Sequence, residues 1–179
     1  MEDDMGVLSN LEPKEVFEQF EALSMVPRRT YRDEKISDYC AEFAKRHGLE
    51  YVQEESGNII IYKPGTAGYE DSEPVILQGH MDMVASKTLD SDHDFDTEPL
   101  ELFVEDGYIG AKNTTLGGDD GIALAYAMAV LARKNRHAFS GSAFRADSKN
   151  SLSYGSIIGT ISFIPHRFCQ QRLRFVCSV

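Results

Sequence analysis

The sequence predicts an α/β domain in which helices pack on a mixed β-sheet. Segments with apolar residues at helical spacing alternate along the chain with short apolar or β-branched runs, and glycine- or proline-containing turns separate them. Of the 179 residues, 42% are hydrophobic and 26% are charged, which is typical of a globular protein. This length fits one ordinary domain with a buried core.

Three segments have the apolar periodicity of helices. The first follows Pro13, a residue that favours the first turn of a helix. The second is Asp33–His47, which carries its apolar residues on one face and ends at Gly48. The third is Gly121–Lys134, which is so strongly apolar that we expect it in the core.

Five short segments are predicted to be strands, because each is an apolar or β-branched run bounded by turn residues. Turns at Ser56-Gly57 and Asp106-Gly107 are expected to join two pairs of them. One segment is apolar throughout, as expected of a strand that is buried on both faces. The predicted strands are Leu49–Gln53, Asn58–Tyr62, Pro74–Gln78, Glu101–Val104 and Tyr108–Ala111.

The chain changes character near residue 135. Residues 137–179 contain five basic residues and one acid and so carry +4, which leaves −15 on residues 1–136 of a chain with net charge −11. Such a shift usually marks a boundary. We therefore predict a domain part at residues 1–135 and a divergent tail at 136–179, with no structure assigned to Ala138–Tyr154 and a possible strand pattern at Ser156–Ile164.

Charge and composition exclude several classes of function. A net charge of −11 does not suit a nucleic-acid partner, whose phosphates need basic residues. The acidic start, Met1-Glu2-Asp3-Asp4, has no signal pattern, and the longest apolar run, Ile122–Ala132, is too short to cross a bilayer. Three cysteines do not make a disulfide framework. We expect a soluble, cytoplasmic protein without a membrane partner.

Two residues at the end of the third predicted strand carry chemistry. Along an extended chain side chains alternate faces, so His80 and Asp82 are expected to point the same way. A carboxylate that accepts a hydrogen bond from one imidazole nitrogen fixes the tautomer and leaves the other nitrogen to bind a metal. A histidine that is merely hydrogen-bonded at a strand end fits the same short pattern.

A second acidic pair lies at the start of the apolar helix. Gly117 and Gly118 allow a sharp bend before Asp119 and Asp120. Aspartate is a preferred helix N-cap, and we expect one of the two to be a cap. The alternative is that Asp119 is a bridging carboxylate in a two-metal site.

A third acidic cluster has the spacing of a calcium loop. Asp90, Asp92, Asp94, Asp96 and Glu101 occupy its ligand positions, which are the first, third, fifth, seventh and twelfth. However, a phenylalanine stands at the sixth position, where such a loop needs glycine, and no helix pair flanks the segment. We therefore interpret it as a solvated acidic loop.

Several motifs occur in order along the chain, namely LSNLEPKEVFEQF near the start, Val26-Pro27-Arg28, VILQGHMDMV, the HDF at His93–Phe95, and TTLGGDDGIALA. Together they resemble the N-terminal part of the aminoacyl-histidine dipeptidases, the Xaa-His or cytosol non-specific dipeptidases of the M20 metallopeptidase family. The match runs from about Leu8 to about Arg133.

The resemblance implies a function and a set of roles. It implies hydrolysis of dipeptides such as Xaa-His through two zinc ions, with Mn²⁺ or Co²⁺ as substitutes, in a homodimer. His80 would ligate one metal, and Asp119 would bridge both with Asp120 as its neighbour. Asp82 would be the catalytic-site carboxylate that supports His80.

The chain departs from the family after the apolar helix. The family continues with an apolar strand and a pair of glutamates, of which one is the general base and the other a metal ligand. Here the stretch reads AFSGSAFRADSKNSLSYG, without a glutamate. We therefore expect a truncated member whose tail arises from a frameshift or gene disruption. The alternative function is a catalytically inactive fragment that binds metal weakly at most.

Overall fold

The computed structural model describes residues 6–65, 68, 70 and 75–133, together with the backbone of residues 142–145. Along these residues two helices come first, five strands follow, and a third helix precedes the last strand, so the described part contains both helices and strands, as the predicted α/β class requires. The helices are α1 (Lys14–Ser24), α2 (Glu34–Arg46) and α3 (Gly118–Ala132), and the strands are β1 (Glu50–Gln53), β2 (Ile59–Tyr62), β3 (Leu77–His80), β4 (Leu102–Glu105), β5 (Tyr108–Ala111) and β6 (Ser142–Arg145).

The main sheet is mixed, which confirms the predicted fold class. Its strand order is β1-β2-β6-β3. Strands β1 and β2 are antiparallel, β2 and β6 are also antiparallel, and β6 runs parallel to β3. Strands β4 and β5 form a separate antiparallel hairpin across the predicted turn.

The apolar faces of the helices meet the sheet in one core. Helix α3 packs against α1 and β3, and α2 packs against β1 and β2. The α3 segment is buried as predicted, with Leu124 and Met128 fully enclosed. No helix in the described residues has the length and apolar character of a membrane span. The largest enclosed apolar side chains include Leu23, Ile36, Phe43, Ile59, Ile61, Met81, Leu124 and Met128.

Strand β6 lies within Ala138–Tyr154, the segment to which the sequence analysis assigned no structure. It lies between β2 and β3, so neighbours on both sides satisfy its backbone groups. This pairing is long-range, and local sequence patterns do not reveal it. The boundary near residue 135 stays a prediction, and the possible strand at Ser156–Ile164 lies outside the described residues.

Strand β3 also differs from its prediction, Pro74–Gln78. It begins at Leu77 and ends at His80, in register with β6 from Ser142 to Arg145. Pairing rather than the apolar run therefore sets its limits. Only Gly79 is buried in this strand, because β3 lies at the edge of the described sheet. The shift makes His80 the last paired residue of the strand.

Candidate metal centre

The end of β3 holds a histidine and a carboxylate in contact. His80 Nδ1 lies 3.1 Å from Asp82 Oδ1 and 3.0 Å from the Asp82 carbonyl oxygen. The Asp82 side chain is only 10% exposed, whereas that of His80 is 34% exposed. Asp82 therefore holds the imidazole at Nδ1, and Nε2, on the opposite side of the ring, is directed away from Asp82.

Gly117 and the irregular first residues of α3, Gly118–Asp120, form a bent segment, the α3 loop, which brings a second carboxylate to the same place. Gly117 adopts a left-handed conformation with φ 66°, which glycine tolerates without strain. His80 Nε2 lies 3.2 Å from Asp119 Oδ1. The structure thus brings together the three residues that the sequence singled out, His80, Asp82 and Asp119.

Neither aspartate of the loop is a helix cap, so the expectation that one of them would be was wrong. The residue at the cap position is Gly117, and it makes no side-chain cap bond. Asp119 and Asp120 have non-helical backbone angles, and a cis peptide bond joins them. Asp119 faces His80, and Asp120 accepts a hydrogen bond from the backbone N–H of His80. Both carboxylates therefore connect the loop to β3.

The electrostatics of the group follow from these contacts. The hydrogen bond to Asp82 is the main cause that raises the pKa of His80 to about 9, against the opposing effect of burial. The same bond lowers the pKa of Asp82, while burial raises that of Asp120. Both imidazole nitrogens face carboxylate oxygens, so a protonated imidazole would donate at both. A cation between Nε2 and Asp119 would take the place of the Nε2 proton.

This donor set fits part of one metal site. An imidazole nitrogen backed by a carboxylate, beside a second carboxylate, is a ligand combination that zinc accepts. In the part of the chain that the structure describes, no three histidine, cysteine, aspartate or glutamate side chains are arranged so that together they could hold a metal ion. Zinc sites need three or four ligands, so these residues supply two donors and leave the remainder to other groups.

Two residues that sequence reasoning did not select support the group. Arg28 is buried beneath it, and the side chain of Thr30 helps to lower the pKa of Asp82 by hydrogen bonding. A single arginine or threonine after a helix has no pattern that predicts burial beside a site. The only sequence signal was that Arg28 belongs to the Val26-Pro27-Arg28 motif.

The acidic loop at residues 90–101 does not converge in this way. Asp96 forms a two-pronged pair with Arg29 at 2.6 and 2.9 Å. Glu101 pairs with Lys112 at 3.0 Å, and Asp94 accepts bonds from the backbone of Asp96 and from Thr97. Asp94, Asp96 and Glu101 thus have separate partners on the protein and do not share a common point, which agrees with the interpretation as an acidic loop without a metal site.

The comparisons with known proteins agree with these motifs. No family model matches the chain. The chain is 40% identical over 131 residues to the cytosol non-specific dipeptidase of Escherichia coli (strain K12), which covers 73% of this chain and 27% of that protein. The chain is also similar to a solved structure, that of an aminoacylhistidine dipeptidase from Vibrio alginolyticus. The TM-score is 0.77 and the sequence identity is 31%, and the match covers 85% of this chain and 31% of that one.

A more distant structure supports the fold alone. A tripeptidase from Staphylococcus aureus has TM-score 0.56 and 21% identity, and the match covers 73% of this chain and 35% of that one. The arrangement of helices and strands resembles that of an M20-type peptidase domain. The resemblance to the N-terminal part of the aminoacyl-histidine dipeptidases of the M20 metallopeptidase family is confirmed. The chain spans about 27% of the length of its E. coli relative.

Proposed function

We propose that this chain carries the first part of the metal site of a dipeptidase, which hydrolyses dipeptides such as Xaa-His. The observation that carries the proposal is the approach of His80 Nε2 to Asp119 Oδ1, at 3.2 Å, with Asp82 behind the imidazole. Residues that lie 39 positions apart in the chain meet there at a partly exposed point. Relatives that are named as dipeptidases share this part of the chain.

Each residue of the group has a distinct role in this proposal. His80 would bind a metal through Nε2, while Asp82 accepts a hydrogen bond from the Nδ1–H group and so holds the imidazole in the ligating tautomer. Asp119 would supply a carboxylate oxygen to the same metal and bridge to a second one. Its side chain is 97% exposed, so the carboxylate has room for a second ion on its outer side.

The proposed cofactor is a pair of Zn²⁺ ions, with Mn²⁺ or Co²⁺ as substitutes. When bound, such ions polarise a scissile carbonyl and lower the pKa of water to about 7. The chain's own residues orient the site. Asp120 holds the backbone of His80, and Asp82 holds its ring. We further propose a dipeptide as partner, a homodimer as assembly, and the cytoplasm as location.

One observation favours the alternative function, a catalytically inactive chain that is at most a weak metal binder. No glutamate follows Glu105, and Asp147 is the only acidic residue after the Asp119-Asp120 pair. Loss of a general base costs about 10²–10⁴ in rate. Turnover above that reduced rate therefore needs another base, for which Asp147 or a second copy of the chain is the candidate.

The test compares zinc binding and turnover in matched variants. Zinc affinity is measured by competition with a chromophoric chelator, and release of free histidine from glycyl-histidine is followed by chromatography. Asp119→Asn should weaken zinc binding, whereas Asp106→Asn, the same change in the exposed β4–β5 turn, should not. Equal affinity in all three proteins would overturn the metal site.

Turnover then separates the two functions. Hydrolysis by the unaltered chain that disappears in Asp119→Asn supports the dipeptidase. If hydrolysis is also lost in the separate variant Asp147→Asn, Asp147 is the base. Zinc binding without hydrolysis, under conditions in which Asp106→Asn behaves as the unaltered chain does, supports the inactive metal binder.

A further inference from the structure

Arg28 lies beneath the candidate metal centre and touches both of the segments that form it. Arg28 is only 2% exposed. Its Nη1 donates to the carbonyl oxygens of Met81 and Asp82 at 3.1 and 3.4 Å, and its Nη2 donates to that of Gly117 at 2.6 Å. The guanidinium therefore joins the end of β3 to the loop that presents Asp119.

The backbone around Arg28 is itself fixed to the end of β3. The Met83 N–H donates to the Arg28 carbonyl at 2.9 Å, and the Thr30 N–H donates to the Met83 carbonyl at 3.0 Å. These bonds place the arginine alongside the His80–Asp82 segment. Its side chain then reaches the α3 loop, so the link between the two segments depends on the guanidinium.

The glycines on either side of the aspartate pair, Gly117 and Gly121, lie directly against this guanidinium. A Cβ atom at Gly117 would lie 2.5 Å from Arg28 Nη2, and one at Gly121 would lie 2.6 Å from the same atom. Both distances are well below a normal contact. The loop can approach the arginine closely only because these positions have no side chain.

The burial of Arg28 costs free energy that an apolar side chain would avoid. Its Nε is buried and has no hydrogen-bond partner among the described residues. Burial is the main cause that lowers its pKa to about 10, although Asp82 and Asp120 act in the opposite direction. Replacement of a whole buried ion pair by apolar residues is often neutral or stabilising, so a buried charge is weak evidence for a stabilising role. Packing alone therefore does not explain the residue, whereas a need for a fixed spacing does.

We propose that Arg28 is a positioning residue that holds the β3 end and the α3 loop at the spacing where His80 and Asp119 share one metal ion. The inference rests on the proposed metal site. Arginine suits this role because its planar fork donates in several fixed directions at once, whereas a lysine ammonium is a single point on a flexible stem.

The experiment measures zinc affinity in Arg28→Lys, with Arg29→Lys as the matched control. Arg29 is the next residue and pairs with Asp96 on the surface, so the control makes the same change away from the site. Loss of support behind metal ligands typically weakens binding about 10–100-fold. We expect a loss of that size in Arg28→Lys and none in Arg29→Lys. Equal affinity in the two variants would overturn the inference.

A metal-free measurement separates this inference from the metal site itself. If the unaltered chain binds zinc no better than Asp119→Asn, the proposed metal site fails. The imidazole ¹⁵N resonances of His80, measured without metal, then decide whether Arg28 holds the two segments together. Resonances in Arg28→Lys that match those of Asp119→Asn mean that the His80–Asp119 contact depends on Arg28. Resonances that match the unaltered chain would refute that dependence.

A second variant covers the case in which Arg28→Lys does not fold. Gly121→Ala keeps the arginine but places a Cβ against its Nη2, and alanine is favourable in a helix. Weaker zinc binding in this folded variant supports the positioning role. Unchanged binding would contradict it.

Discussion

Two acidic regions of this molecule have the same kind of residue and opposite organisation. At the candidate metal centre, carboxylates from two separate segments approach a single histidine. In the loop at residues 90–101, Asp96 and Glu101 instead pair separately with Arg29 and Lys112. The density of acids along the chain therefore does not make a metal site. Convergence on a common point does, and it requires elements from a packed core behind it.

The largest expected contrast concerns the chemistry of the core beneath the centre. Cys40 contacts Met81 at 3.9 Å and is fully buried, and burial raises its pKa from 9.0 to about 12. At pH 8 its thiolate fraction should be about a thousand-fold below that of a free cysteine, so alkylation should be correspondingly slow.

Peptide mass spectrometry after iodoacetamide treatment measures that rate at Cys40 itself. A cysteine introduced in the acidic loop, Asp92→Cys, serves as the exposed reference. The rate at Cys40 should rise with pH, because only the thiolate reacts. Equal rates at the two positions in the folded protein would show that the core under β3 is open.

Truncation of one leucine in each region gives the next contrast. Leu124 is fully enclosed in α3, whereas Leu89, just before the acidic loop, is fully exposed. Leu124→Ala should lower the free energy of unfolding by about 2–5 kcal/mol, because it leaves a cavity. Leu89→Ala should change it by less than about 0.5 kcal/mol.

Urea unfolding followed by circular dichroism measures both variants against the unaltered chain. A small effect of Leu124→Ala would mean that α3 is not packed in the core. The candidate metal centre would then have no packed core behind it and would resemble the acidic loop in this respect.

The smallest contrast tests the two acid environments directly. Asp82→Asn removes the carboxylate behind His80 and should weaken zinc binding about 10–100-fold. Asp96→Asn removes a carboxylate of the loop, whose partner is Arg29, and should leave zinc binding unchanged. Chelator competition measures both affinities, and a loss in Asp96→Asn as large as that in Asp82→Asn would show that the acidic loop also contributes to the metal site.

The part of the fold that the sequence predicted well is the part with strong local signals. The three helices and the β4–β5 hairpin have bounds close to the predicted ones, because apolar periodicity and turn residues act over a few positions. Strand β3 is shifted and β6 was unassigned, because both depend on pairing with each other. The pairing partner of β3 lies more than sixty residues away.

The sequence by itself determined the α/β class and the family resemblance, and it singled out His80, Asp82 and Asp119 as candidate site residues, since residue type and spacing carry that information. Only the tertiary structure decided that Asp119 faces His80 instead of capping α3, and that Asp120 binds the backbone of His80. It also decided that Arg28 is buried between the two segments. The physical reason is that contacts between distant segments depend on how helices and strands pack, and a local pattern contains no record of that packing.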